Sequence, residues 1–196
     1  MTVNLEPEHL ALRVWFLSHR THELLRRCED QVFSEYNLTT EQYTVLVTIK
    51  YLDDPVRPTD VARWMGRSPN SVSMIVDRMV KAGLVRRIRD RGDRREVRLV
   101  ITSKGENAIK PATLAGVEFI RKILSPLSYE DRRTLVSLNE VVKDNAFKYL
   151  NPGVDIEEMK KNEITNQADL IERLRQYIST STPQAKRRGG EKRKTV

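Results

Sequence analysis

The chain contains a single cysteine, Cys28. One thiol forms no internal disulfide and no zinc site by itself, so the fold rests on a hydrophobic core, in keeping with a reducing, cytoplasmic setting. Long apolar runs are missing too. The longest are a few residues, such as Val45-Leu46-Val47, and the opening MTVNLEPEH has no basic stretch followed by an apolar one. Neither a membrane span nor a secretion signal is expected. No glycine-rich phosphate loop, G-x-S-x-G or HExxH occurs, and the three histidines, His9, His19 and His22, all fall in one segment without a second ligand cluster. An enzyme, a metal site and a cofactor are therefore not expected.

What remains is a chain of 196 residues with 39% hydrophobic and 32% charged residues, long enough to bury a core. Its formal charge of +8 favours a polyanionic partner. The positive charge is concentrated twice. A tail carries Lys186, Arg187, Arg188, Lys192, Arg193 and Lys194 against Glu191, without apolar periodicity. An inner cluster carries Arg86, Arg87, Arg89, Arg91, Arg94, Arg95 and Arg98 against Asp90, Asp93 and Glu96, on segments that read as strands.

Periodicity and caps give the order of elements. Pro7 opens a long helix to about Tyr36-Asn37, with Leu10, Val14, Leu17, Leu24, Leu25, Cys28 and Val32 on its expected core face. Thr39 or Thr40 caps a second helix through about Leu52, and Pro58 begins a third that Gly66 ends. Ser68-Pro69 opens a fourth, closed by Gly83, whose Val72, Ile75, Val76, Met79 and Val80 make one apolar stripe. The period then changes to two, giving strands Leu84–Arg89 and Glu96–Ile101 around a turn-rich loop. Ser103 with Glu106 reads as a capping box for a fifth helix, bent at Pro111, and Ser128 with Asp131 begins a sixth that Asn151-Pro152-Gly153 stops. A last amphipathic segment carries Ile164, Ala168, Ile171, Leu174 and Ile178.

Three short helices followed by an arginine-rich hairpin make a winged helix-turn-helix, mainly α with a small antiparallel wing. Opposite the apolar stripe of the fourth helix lie Asn70, Ser73, Met74, Asp77, Arg78 and Lys81, with Ser71 at the edge. With Arg67 and Ser68 ahead of the helix, these residue types suit a helix that enters the major groove by its amino-terminal end. Arg89, Arg91 and Arg94 of the hairpin suit a narrow minor groove, where negative potential concentrates.

The segment LTTEQYTVLVTI and the stretch from Pro58 to Gly105, with Asp90-x-x-Asp93-Arg94-Arg95 ahead of Leu99 and Thr102, resemble the DNA-binding core of the multiple antibiotic resistance regulator (MarR) family. With the flanking helices the resemblance covers about residues 8 to 150; the rest exceeds the usual family length. The resemblance implies a homodimeric transcription regulator, usually a repressor, that binds palindromic double-stranded DNA and releases it on meeting a small molecule or oxidant. It assigns 1–37 and 103–150 to dimerisation and 38–102 to DNA binding. Residues 151–178 then form a helical extension and 179–196 a disordered basic tail.

A carboxylate near phosphates needs a cationic partner. For Asp77 the resemblance points to Arg95 or Arg98 of the wing, while pairing with Lys81 one turn on is the local alternative. Cys28, late in the first helix, reads as a buried, inert thiol. Opposite that helix's core face lie Trp15, His19, His22, Arg26 and Phe33, a mixture suited to an aromatic acid or phenolic effector, or else a subunit interface. An architectural DNA-binding protein without effector, and a winged-helix module for protein or RNA, are the competing functions.

Overall fold

The computed structural model describes residues 6–52, 55–89, 97–153 and 155–181. The elements run α1 (Pro7–Ser34), α2 (Thr40–Tyr51), α3 (Pro58–Trp64), α4 (Pro69–Lys81), β1 (Val85–Arg89), β2 (Val97–Ile101), α5 (Ser103–Leu124), α6 (Tyr129–Leu150) and α7 (Ile156–Ser181). The chain divides into two compact units, residues 1–135 and 136–196. No described helix is long and apolar enough to cross a membrane.

Within the first unit, the core is built where the three short helices meet the hairpin. Leu46 and Val45 of α2, Val61 of α3, Val72, Val76 and Met79 of α4, and Val85 and Leu99 of the strands are all essentially inaccessible. Helix starts and stops position these side chains. Thr39 forms a full capping box with Gln42 at the start of α2. Beyond α3 and α4 the chain turns at Gly66 and Gly83, both with positive φ. At each, two amides close a Schellman motif: Arg67 N–H bonds Ala62 C=O and Gly66 N–H bonds Arg63 C=O, and likewise Leu84 bonds Met79 and Gly83 bonds Val80. The left-handed conformation these stops require suits glycine, which bears no Cβ.

The hairpin is antiparallel, with Val85 opposite Ile101, Arg87 opposite Leu99 and Arg89 opposite Val97. Leu99 N–H also donates to Val56 C=O at 2.8 Å, tying β2 to the segment that leads into α3. Residues 90–96 lie outside the described residues, and with them the expected roles of Arg91, Arg94 and Arg95. The basic tail beyond residue 181 lies outside them as well.

Three local expectations are corrected. The cap of α5 is Thr102, not Ser103: its Oγ1 accepts from Gly105 N–H at 3.1 Å while its hydroxyl donates to Gly83 C=O at 2.6 Å. The threonine at the strand exit thus serves the helix start and the α4 stop together, and Ser103 becomes the first helical residue. On α1, the face expected to be core is exposed over its first half, with Leu10, Val14 and Leu17 each 51% accessible. Burial sets in only where α2 and α5 meet α1, so Cys28 is half-buried and Phe33 is the buried residue. On α7, Ala168 and Ile171 are exposed, and the half-buried stripe is Leu170, Leu174, Tyr177 and Ile178. The side chain of Ile164 lies outside the described residues.

In the second unit, Asp144 of α6 is buried and accepts from Lys160 Nζ of α7 at 2.9 Å. That ion pair joins the extension to α6, and it raises the Lys160 pKa through the hydrogen bond and the nearby carboxylate charge.

At Gly105 a Cβ would collide with Leu84 C=O and stand 2.7 Å from Ile101 Cγ2. Because backbone must move to relieve the first contact, Gly105→Ala is expected to destabilise the protein by about 2 kcal/mol or more. Urea unfolding checks this; an unchanged midpoint would contradict the close approach of α5 to the β1 entry.

Candidate nucleic-acid interface

The rotation of α4 about its own axis decides what this unit presents. Val72, Ile75, Val76 and Met79 face inward and are buried. Asn70, Ser71, Met74, Asp77, Arg78 and Lys81 are exposed, as are Arg67 and Ser68 in the preceding turn. The sequence-predicted reading residues therefore share one outward face, apart from Ser73, which is half-buried toward the hairpin. Ser68 caps the helix, its Oγ accepting from Ser71 N–H at 3.3 Å. Arg78 Nε donates to Met74 C=O at 3.4 Å, which holds the guanidinium along the outer surface one turn back.

The hairpin is tied to this helix through an arginine that the sequence reading did not nominate. Asp77 Oδ1 accepts from Arg87 Nη1, and Arg87 Nη2 donates to Ser73 C=O at 3.5 Å and to Ser73 Oγ at 3.4 Å. The expected partners were Arg95 or Arg98, or locally Lys81. Strand alternation explains the difference. Arg87 lies directly across from Leu99, so it shares the sheet face that packs toward the helices, whereas Arg98 lies across from Ile88 on the other face. Arg95 is outside the described residues. Arg89, two residues beyond Arg87 on the same face of β1, is exposed.

A second carboxylate organises the opposite end of α4. Glu41, in the first turn of α2, accepts from Arg26 of α1 and from Arg67 at 3.4 Å through the same oxygen, Oε1. Burial alone would raise this carboxyl. Its own backbone amide, Arg26 and Arg67 outweigh that effect and hold the pKa below the ordinary glutamate value. Next to it, Asp30 accepts from Thr40 N–H at 3.0 Å and from Thr40 Oγ1 at 2.7 Å, which lowers its pKa and fixes α1 to the start of α2. No short-range pattern announces Glu41, because its partners lie 15 and 26 residues away.

The expected effector group is not brought together. Trp15 and Phe33 are 18 residues apart on one continuous helix, about 27 Å along its axis. Phe33 is a core residue, 4% accessible, its ring stacked on Tyr43 at 4.0 Å and set against Gly116. Arg26 is engaged by Glu41. Trp15 and His19 do form a local pair, with ring centroids 4.4 Å apart and His19 Nδ1 3.0 Å from Trp15 C=O, and both are exposed, as is His22.

The match to known proteins agrees with this geometry. A sequence model of the MarR family matches residues 36–96. The HTH-type transcriptional regulator PecS of Dickeya dadantii is 31% identical over 121 residues, spanning 61% of this chain and 73% of PecS. The chain belongs to the MarR family. MgrA of Staphylococcus aureus, also an HTH-type transcriptional regulator, is 34% identical over 95 residues, 48% of this chain and 63% of MgrA. Among solved structures, the organohalide-sensing regulator RdhR in its 2,4-dichlorophenol-bound form superposes with a TM-score of 0.67 at 23% identity, covering 76% of this chain and 87% of that one. A mutant of MarR from E. coli complexed with operator DNA gives 0.62 at 19% identity, covering 70% and 99%. These likenesses establish the winged helix-turn-helix fold. The MarR-family pattern thus places α3 and α4 as the helix-turn-helix and β1–β2 as the wing.

Because the Glu41 and Asp30 pKa values are depressed on folding, their contribution to stability is complete above the ordinary carboxylate range. It fades as pH falls through the lowered folded values. Glu41→Gln combined with Asp30→Asn is therefore expected to flatten the acid limb of stability against pH below about pH 4. Urea midpoints at several pH values check this; an acid limb identical to wild type would contradict the assignment.

Proposed function

We propose that this MarR-family transcription regulator binds a palindromic DNA operator as a homodimer, represses transcription in the cytoplasm, and is released by a small aromatic effector. The observation that carries the reading is α4: one stripe locked into the core, the other turned outward, and the wing strand tied to it through Arg87 and Asp77. Arg67, Ser68, Asn70, Ser71, Ser73, Met74, Arg78 and Lys81 are its proposed DNA contacts from the helix-turn-helix, and Arg89, Arg91 and Arg94 those from the wing. Neutralising Asp77 with Arg87 removes a carboxylate charge that phosphates would repel.

Dimerisation is proposed for the helices outside the DNA-binding region. Leu10, Val14, Phe16 and Leu17 of α1 are half or more exposed, and in the second unit so are Leu138, Val141 and Val142 of α6. Apolar area of this extent on separate helices is what a second copy covers. For the effector, the proposed groups are Trp15, His19 and His22 on the exposed side of α1; Phe33 is excluded by its place in the core. That RdhR was solved with a chlorinated phenol bound is a property of that protein, and it supports testing phenols first.

Sedimentation at micromolar concentration is expected to give a dimer, and nuclease footprinting two protected half-sites about one helical turn, roughly 34 Å, apart. Arg89→Ala is expected to lower the slope of log affinity against log salt by about one while leaving the sequence preference unchanged. A monomer with an unstructured footprint would overturn the reading.

A further inference from the structure

Met74 is the one large apolar side chain near the middle of the outward face of α4, and it is 65% exposed. At about 100° per residue it lies within about 30° of the centre of that face, flanked by Asn70 and Lys81 on one side and Arg78 on the other. The other exposed aliphatic of this helix, Val80, is only 37% accessible and borders the buried stripe. All the remaining outward neighbours are hydrogen-bonding or charged. An exposed methionine among them has no packing role in the described fold, since the buried face of α4 is already complete with Val72, Ile75, Val76 and Met79.

We propose that Met74 is a specificity-determining residue that reads the C5-methyl group of a thymine in each half-site. The inference rests on the reading of α4 as the DNA-recognition helix. In the major groove, the edges of the four bases offer hydrogen-bond donors and acceptors, and thymine alone adds an apolar methyl. A methionine is unbranched, with a polarisable thioether that adapts to a small apolar target. Asn70, one turn earlier on the same face, has the carboxamide that matches adenine N6 and N7, so an A·T-containing step suits the pair. Arg78 is drawn back along the helix by its bond to Met74 C=O, which leaves the Met74 side chain as the projecting group of its turn.

The test uses the full-length protein and duplexes enriched from a randomised library. In an enriched duplex each thymidine is replaced in turn by deoxyuridine, which keeps the base-pairing groups and O4 but lacks the methyl. At one thymine position per half-site, wild type is expected to bind about fourfold more weakly, the loss that corresponds to one buried methyl. Met74→Ala is expected to weaken binding to the thymine duplex by a similar factor or more and to bind both duplexes equally. Met74→Leu, which keeps an apolar group, retains the discrimination. The proposal is overturned if wild type binds every deoxyuridine duplex as tightly as its parent, or if Met74→Ala still discriminates. Enrichment of no duplex would remove the DNA-recognition reading itself, and this inference with it; that failure is visible before any thymine is replaced.

Discussion

Burial of one stripe of α4 is the constraint on which the rest depends. Val72, Val76 and Met79 are fully inaccessible and Ile75 nearly so. A rotation of the helix by a single residue would swing these out and carry polar side chains into the core, at a cost of several kcal/mol for the exchanged groups. The rotation is therefore fixed, and with it the direction in which Asn70, Met74 and Arg78 project. An outward surface made of flexible side chains gains its reproducibility from the opposite face, which is packed into the core. The two Schellman stops at Gly66 and Gly83 serve the same end, fixing where the helices around the turn finish.

Charge pairs then orient what the core has positioned. Asp77 is 52% and Arg87 33% accessible, so their pairing contributes little to stability in water. Its consequence is geometric: it binds the strand to the helix and cancels a negative charge beside the outward face of α4. Glu41 does the corresponding work at the amino-terminal end, holding Arg67 next to the cap of α4 while also gripping Arg26 of α1. The long first helix and the turn ahead of α4 thus share one carboxylate, a direct physical link between a surface proposed for effector binding and the surface proposed for DNA.

Local signals carried most of the architecture. Threonine, serine and proline at helix starts, glycine at helix stops and the switch from a period near four to a period of two locate α2, α3, α4 and the hairpin within a residue or two. The outward face of α4 was legible for the same reason, because one helix's periodicity separates its two sides. What failed were inferences that needed a second element. Periodicity on α1 identified an apolar face but not that only its last turns meet α2 and α5, so Leu10, Val14 and Leu17 were expected inside and Phe33 outside. The partner of Asp77 required the hairpin register; once Leu99 is recognised as a core residue, alternation turns Arg98 away and brings Arg87 to the helix. Ser103 and Glu106 offer a complete local capping pattern in the sequence, whereas Thr102 is selected by a second bond that only the fold supplies, to Gly83.

The central claim is that α4 enters the major groove with its Asn70–Met74 face against the bases. Affinity cleavage tests it most directly: in a Cys28→Ser background, a Ser71→Cys variant carries an iron chelate on the exposed edge of that face, and cuts in bound DNA are mapped. The account predicts two narrow clusters of cuts, one per half-site and about one helical turn apart, with the strand offset of the major groove. Cuts spread evenly along the duplex, or offset as from the minor groove, would contradict it.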